Sequence, residues 1–190
     1  MENFTDIIRG CIEKKHKHQK ILYEQYYGYA MKIVFRYIYR YEKTVDVVND
    51  GFVKLFNNFD KFNMATDGDN ERVLLGWLKK ILVNTAIDEL RKGNMLPEIG
   101  GILEDVWEIK DENQDADQLL LYKDLIKLVR TLPLPTRIVF NLYVIDGYSH
   151  TEIADMMKMP IGTSKSTLSR ARSILQNSIK KMEEAHLCRI

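Results

Sequence analysis

The chain has 190 residues, two cysteines and a net charge of +1, and its length allows two small hydrophobic cores. The chain contains no run of about 18 apolar residues, which is the length needed to span a bilayer. The polar start from Met1 to His18 is unlike a secretory signal, so we expect a cytoplasmic protein without membrane insertion. Cys11 and Cys188 lie near opposite ends without a CxxC partner, which argues against a disulfide framework or a zinc cluster.

Charge is unevenly distributed along the chain. Residues 1–92 carry a net charge of +3, residues 93–118 carry −7, and residues 119–190 carry +5. We therefore expect two mildly basic domains joined by a flexible acidic linker at residues 93–118. Basic faces suit a polyanion such as nucleic acid, but so small a balance also occurs in proteins that never bind DNA.

Helical periodicity dominates the first half, and no segment alternates apolar and polar residues as a half-buried strand would, so the fold class is all-α. A first long helix is predicted over residues 20–41. Thr44 is a plausible N-cap for a second helix, whose apolar residues follow i, i+3 and i+4 steps. After a polar loop at residues 63–70, a third helix is predicted over residues 71–92, with Trp77 on its buried stripe.

The second half restarts with a helix predicted over residues 116–130, which two nearby prolines end. Another helix follows and is predicted to end at Asp146-Gly147. Ser149, with Glu152 three residues later, predicts a capping box at the start of a short helix. These signals place several short helices in the C-terminal domain.

Residues 149–176 have the layout of a helix-turn-helix unit. The short helix is followed by a turn at residues 158–162 and by a last helix that is predicted to begin at residue 163 or 164 and to continue past residue 181. Lysine and arginine can donate to guanine or phosphate, and serine is short enough for a helix to enter the major groove. The groove-compatible residues expected to be exposed there are Ser164, Lys165, Ser166, Ser169 and Arg170. A helical hairpin with a solvated basic face remains the alternative.

This unit resembles a known family. Residues 147–175, GYSHTEIADMMKMPIGTSKSTLSRARSIL, resemble region four of the extracytoplasmic-function (ECF) sigma factors, and Leu132-Pro133, Arg137 and Phe140 fit the family pattern before it. The resemblance implies that the last helix reads the minus-thirty-five promoter element. It assigns to the bases Lys165, Ser166, Ser169 and Arg170, and to a phosphate Arg172.

The second predicted helix resembles another part of the same family. Residues 44–62, TVDVVNDGFVKLFNNFDKF, are similar to region two, where an Asp-x-x-Gln-Glu-x-Phe pattern docks on the clamp helices of core RNA polymerase. Asp46, Asn49, Asp50 and Phe52 occupy those positions, and Val53 shares their face. The resemblance implies that Asp46, Asn49, Asp50 and Val53 bind the polymerase, whereas a solvated helix face is the alternative reading.

The third predicted helix completes the resemblance. Residues 77–92, WLKKILVNTAIDELRK, are similar to the family helix that contacts the minus-ten element, where this helix and the loop before it hold a base out of the duplex. Trp77 matches by spacing, although a tryptophan at such a position is also typical of a core. The minus-ten contacts that the resemblance implies are Lys79, Lys80, Asn84, Asp88, Arg91 and Lys92.

Taken over residues 21–92 and 119–181, the resemblance implies a sigma factor of the ECF type in the sigma-70 family. It implies a region-two-like domain at residues 1–92, a linker at 93–118 and a region-four-like helix-turn-helix domain at 119–190. Its implied partners are core RNA polymerase, promoter DNA and an anti-sigma factor. We expect no cofactor and no small-molecule substrate.

Three other functions compete with this interpretation. An enzyme is disfavoured because there is no nucleophile–base pairing, phosphate-binding glycine loop or HExxH pattern. His16 and His18, with Cys11 upstream, could form a weak metal site, but a solvated helix face is favoured and no metal is expected. A free-standing helix-turn-helix regulator would carry a sensor or dimerisation domain in the first half, and a helical interaction module would show no salt-dependent DNA binding.

Overall fold

A computed structural model of the chain describes residues 3–64, 69–92 and 124–187. All regular secondary structure in these ranges is helical, which confirms the all-α prediction. The chain divides into two compact units, residues 1–112 and 113–190, each described separately below. The predicted flexible linker at residues 93–118 lies outside the described residues.

The first unit is a helical bundle. Helices α2, α3 and α4 pack against one another, and α1 packs on α2 and α4. Aromatic and branched side chains, among them Tyr37, Phe52 and Leu82, fill its core and are shielded from solvent. The helices are α1 (Phe4–Ile12), α2 (His16–Ile38), α3 (Tyr41–Asn57) and α4 (Asn70–Lys92), with a short 3₁₀ turn at Phe59–Lys61 after α3.

Helix boundaries differ from the predictions near α2 and α3, and α1 was not predicted. α2 ends at Ile38 because Tyr39 adopts a left-handed conformation with φ 53°. The prediction that Thr44 caps α3 is wrong: Arg40 is the N-cap, and Thr44 lies fully buried inside the helix. The predicted third helix is confirmed as α4, one residue longer at its start.

Gly51 lies where α3 packs closely on α4. A Cβ atom at this position would lie 2.6 Å from Cδ2 of Leu82, whose side chain is fully buried. Gly76, on the exposed side of α4, would place its Cβ with nothing within 4 Å. The absence of a side chain at Gly51 therefore allows the two helices to approach each other.

We expect Gly51→Val to lower the free energy of unfolding by about 2 kcal/mol, because the added methyl groups overpack the contact with Leu82. Gly76→Val makes the same substitution on an open helix face, and we expect a change below about 0.5 kcal/mol there. Urea denaturation followed by circular dichroism measures both values. Equal losses in the two variants would show that helix propensity, and not the close approach, sets the cost.

The second unit is also built from helices. Helix α5 is described over residues 124–130, α6 spans Leu134–Phe140 and continues as a π-helical turn at Asn141–Ile145, α7 spans His150–Met157, and α8 spans Ile161–Leu187. α8 packs on α6 and α7. The buried side chain of Arg137 donates from Nη1 to the carbonyl oxygen of Arg130 at 3.1 Å, so this arginine caps the end of α5.

The start of the helix-turn-helix unit follows the predicted capping chemistry. The Glu152 backbone N–H donates to Ser149 Oγ at 3.2 Å, and the Ser149 N–H donates to Glu152 Oε2 at 2.9 Å, which confirms the capping box. α7 ends at Lys158, which is left-handed with φ 51°. α8 then begins at Ile161, two to three residues before the predicted start, so the turn is shorter than expected.

Candidate functional site

The solvent-facing side of α3 carries the residues predicted to bind the polymerase. Asp46, Asn49 and Asp50 are exposed, and Val53 exposes 57% of its surface. We call these four residues the docking surface. The opposite side of the helix is buried and contains Val47, Val48, Phe52 and Leu55. The docking surface is therefore acidic with one exposed apolar side chain, which suits a partner that offers cations beside an apolar contact.

A lysine near the docking surface is held by α4. Lys43 Nζ lies 2.8 Å from Glu89 Oε1. The hydrogen bond and charge of Glu89, with smaller contributions from Asp46 and Asp50, raise the pKa of Lys43. Neither Asp46 nor Asp50 makes a hydrogen bond or ion pair within the described part of the chain, so their carboxylates face solvent.

A cavity of about 320 Å³ lies between the end of α3 and the middle of α4. Lys54 Nζ donates to Thr85 Oγ1 at 3.0 Å, and Lys61 Nζ donates to Asn58 Oδ1 at 2.9 Å, so both ammonium groups are held at its wall. Among the residues that the structure describes, no carboxylate lines it. Its lining comprises Lys54, Asn58, Lys61, Trp77, Ile81, Asn84 and Thr85. Cations, amides and an indole together suit an anionic ligand with a flat ring, such as a nucleotide.

The cavity lining includes two residues that the sequence predicted and three polar residues outside α4 that it did not. Asn84 was predicted and lies there. Trp77 is half-buried and contacts the rings of Phe59 and Phe62 at centroid distances of 5.7 and 5.6 Å, so it serves both the core and the cavity wall. The residues missed are Lys54, Asn58 and Lys61. They come from another helix and the turn after it, and the sequence contains no signal of their approach to α4.

The other predicted minus-ten residues lie along α4 outside the cavity lining. Lys80 and Lys92 are exposed, and Lys79 is half-buried. Arg91 forms an ion pair with Asp88 one turn before it. Of the six predicted contacts, the structure thus brings only Asn84 into the cavity.

The first turns of α8 present a basic, polar face. The inward side of the helix is buried through Leu168, Ala171 and Leu175. Between Lys165 and Lys181 the sequence of α8 contains no carboxylate. The predicted DNA-contacting residues that are exposed on this face are Lys165, Ser166, Ser169, Arg170 and Arg172. Side chains three and four residues apart share one side of a helix, so these five form a continuous surface.

Ser164 is different from its neighbours, and the prediction that it is exposed is wrong. It is fully buried, with its Oγ 3.0 Å from Nδ1 of His150 at the start of α7. The His150 ring stacks on Tyr143 with a centroid distance of 4.4 Å. This chain of contacts fixes the start of α8 against the rest of the unit, and we leave Ser164 out of the DNA-contacting set.

We expect Ser164→Ala to lower the free energy of unfolding of this unit by about 1 kcal/mol, because it removes a buried hydrogen bond and leaves the imidazole nitrogen without its partner. Ser169→Ala is the matched control, since Ser169 is exposed on the same helix. We expect that variant to unfold like the unmodified chain. Thermal denaturation of the two variants measures the difference, and identical midpoints would contradict a structural role for Ser164.

The described ranges contain neither a cluster of metal-binding side chains nor a helix that could cross a membrane. No three His, Cys, Asp or Glu side chains there could hold a metal ion together. Burial raises the pKa of the Cys11 thiol to about 11, which makes it a poor nucleophile and a poor ligand near neutral pH. None of the described helices combines the length and apolar character that a bilayer crossing requires.

Comparison with known proteins finds a family model for part of each unit. Residues 22–94 match the family model of sigma-70 region 2, and residues 122–175 match that of sigma-70 region 4. The ECF RNA polymerase sigma-E factor of Haemophilus influenzae is 26% identical, covering 95% of this chain and 98% of the relative. The corresponding factor of Escherichia coli K12 is 28% identical, covering 95% and 97%.

A solved structure shows a similar fold. The sigma factor RpoE of Bartonella quintana, crystallised in complex with the anti-sigma factor NepR, aligns with a TM-score of 0.52 and 24% identity over 85% of this chain and 96% of that one. Two helical units that match region 2 and region 4 in this order define the class of RNA polymerase sigma factors. The chain belongs to the sigma-70 family, in its ECF group.

Proposed function

We propose that this sigma factor binds core RNA polymerase through the docking surface and directs initiation at selected promoters through α8 and α4. The observation that carries the proposal is the presence, in one chain, of an exposed acidic surface on α3 and an exposed basic face on α8. A free-standing regulator needs the second surface but not the first. That alternative is therefore not favoured.

The docking surface supports polymerase binding through charge and exposed apolar area. Asp46 and Asp50 provide two unpaired carboxylates within the described ranges, and Val53 provides apolar contact area that is already exposed. Folding leaves the Val53 side chain exposed, so its burial against a partner would contribute hydrophobic free energy to binding. The basic groups that such a surface requires would belong to the polymerase.

The basic face of α8 supports recognition of the minus-thirty-five element. Lys165 and Arg170 can donate to guanine acceptors, whereas Arg172 can neutralise a phosphate. Ser166 and Ser169 are small, so the helix backbone can approach the floor of the major groove. The hydrogen bond between His150 and Ser164 supports this role indirectly, because it holds the start of the helix in place.

The cavity beside α4 supports capture of a minus-ten base that has left the duplex. Unstacking a base costs a few kcal/mol, which contacts to the extruded nucleotide must offset. The indole of Trp77 can stack on a base, the Asn84 amide can bond to its edge, and Lys54 and Lys61 can attract the adjacent phosphates. Lys79, Lys80 and Lys92, with the Asp88–Arg91 pair, would contact the strand farther along α4.

We expect Asn84→Ala to slow promoter opening about tenfold, because the extruded base loses one hydrogen-bonding partner in the cavity. A 2-aminopurine probe within the minus-ten element reports the opening rate for the complex with core polymerase. Asn177→Ala, which changes an exposed amide on α8 outside both the cavity and the predicted minus-thirty-five contacts, is the control and is expected to open at the normal rate. Normal opening by Asn84→Ala would contradict a role for this side chain.

The experiment that tests the proposal as a whole is run-off transcription with purified core enzyme on genomic fragments. We expect products that start at a small set of promoters and that require the added chain. Core enzyme binding without any promoter-dependent product would restrict the function to polymerase binding. No binding and no product would reject it.

Further partners and properties are proposed by analogy with the relatives. Sigma factors are initiation factors without enzymatic activity, and we propose that this chain likewise has no catalytic activity and no cofactor and that it acts in the cytoplasm. The Bartonella relative was crystallised with an anti-sigma factor. We propose that an anti-sigma factor also regulates this chain, and co-purification of a bound protein from the native host would test that.

A further inference from the structure

A tyrosine of α2 extends to the docking surface on α3. The Tyr23 hydroxyl donates a hydrogen bond of 2.9 Å to Oδ1 of Asn49, a residue 26 positions later in the sequence. The Tyr23 ring contacts the ring of Phe52 with a centroid distance of 4.8 Å and an interplanar angle of 60°. Asn49 and Phe52 lie one helical turn apart, so the ring packs on a core residue while the hydroxyl reaches an exposed one.

This bond restricts the one uncharged polar side chain of the docking surface. An exposed asparagine normally samples several rotamers. A partner that binds one of them therefore binds less tightly, because the side chain loses conformational entropy. With Oδ1 bonded to Tyr23, the Nδ2 hydrogens of this exposed carboxamide are left to donate to a partner. Burial raises the pKa of Tyr23, so its hydroxyl stays protonated and able to donate near neutral pH.

We propose that Tyr23 is a positioning residue for polymerase binding, which orients the Asn49 carboxamide so that its NH₂ group donates to an acceptor on the core enzyme. The inference rests on the proposed function of the docking surface. It identifies the chemistry of the polymerase group opposite Asn49 as a carbonyl or carboxylate oxygen. It also means that a residue of α2 contributes to polymerase binding, although the docking surface lies entirely on α3.

A double-mutant cycle tests the inference with the full chain and purified core polymerase. Tyr23→Phe removes the hydroxyl and keeps the ring on Phe52, and we expect the Kd for core polymerase to rise about three- to tenfold. Asn49→Ala should weaken binding at least as much. Because Tyr23 acts through Asn49, adding Tyr23→Phe to Asn49→Ala should change the Kd by less than about 1.5-fold.

The controls separate positioning from general damage. Tyr27→Phe is the first control, because the ring centroids of Tyr27 and Tyr23 are 5.3 Å apart. The Tyr27 hydroxyl has no hydrogen bond among the described residues, so we expect this variant to leave the Kd unchanged. Asn49→Asp keeps an acceptor for Tyr23 but loses the NH₂ donor, so it should bind as weakly as Asn49→Ala. Circular dichroism establishes that every variant is folded at the assay temperature.

Two outcomes would overturn the inference while the proposed function stands. One is wild-type affinity of Tyr23→Phe when Asn49→Ala is impaired. The other is an equal effect of Tyr23→Phe with and without Asn49, which would make its contribution independent of that side chain. Failure of the unmodified chain to bind core polymerase is a separate result, because it rejects the docking surface itself.

Discussion

Asp50→Lys is expected to weaken the binding of core RNA polymerase about 100-fold. The carboxylate of Asp50 is exposed on the docking surface and has no ion pair in the described structure. Its negative charge is therefore available to attract a cationic group of the polymerase. Reversing its charge replaces an attraction by a repulsion within the docking surface, and a 100-fold loss corresponds to about 3 kcal/mol. The variant also places a second ammonium near Lys43. Competition against a fluorescently labelled wild-type chain for limiting core enzyme measures the loss.

Asp60→Lys provides the matched control for this charge reversal. Asp60 is an exposed carboxylate in the 3₁₀ turn after α3, outside the docking surface, and its substitution changes the net charge by the same amount. We expect that variant to compete like the unmodified chain. If Asp50→Lys competed equally well, the docking surface would be assigned to the wrong side of the bundle.

Local signals in the sequence predicted a large part of the fold. The capping box at Ser149 and Glu152 involves residues three positions apart, and its geometry is set by the chain itself. The apolar residues of α4 likewise recur at helical spacing, because one side of this helix packs on the core. Features of this kind depend on near neighbours in the sequence, so their positions were predicted to within a few residues.

Features set by tertiary contacts were predicted incorrectly or not at all. Thr44 has the chemistry of an N-cap, but the left-handed Tyr39 ends α2 early and lets α3 begin three residues before Thr44. Ser164 has the chemistry of a DNA contact, but His150 from another helix binds it in the interior. In both cases the residue type allowed two roles, and packing against a distant segment selected one of them.

The candidate sites divide in the same way. The exposure of Asp46, Asp50 and Arg170 follows from helix periodicity alone. The cavity does not, because Lys54 and Lys61 reach α4 only after the bundle has formed. The bond from Tyr23 to Asn49 also joins two helices, and no sequence spacing indicates it. The exposure of these side chains was therefore predictable, whereas the contacts between helices were not.

The largest expected effect on DNA recognition comes from removing both cations at the start of α8. We expect Lys165→Ala and Arg170→Ala each to cost about 1–3 kcal/mol of promoter binding, and the double variant to lose about 100-fold or more in affinity for the minus-thirty-five element. Both side chains are exposed on the face that contains no carboxylate. Because they lie in the second unit, binding of core polymerase through α3 should be unchanged.

The comparison that separates base recognition from general electrostatics is Lys180→Ala with Lys181→Ala. This pair removes the same charge from the same helix, but about 15 Å farther along its axis than Arg170. Footprinting of the complex with core polymerase, at one salt concentration, measures both double variants on cognate and scrambled minus-thirty-five elements. We expect the loss from Lys165 and Arg170 to be largest on the cognate element. An equal loss on both DNAs, or from both pairs, would mean that α8 attracts phosphates without reading the bases.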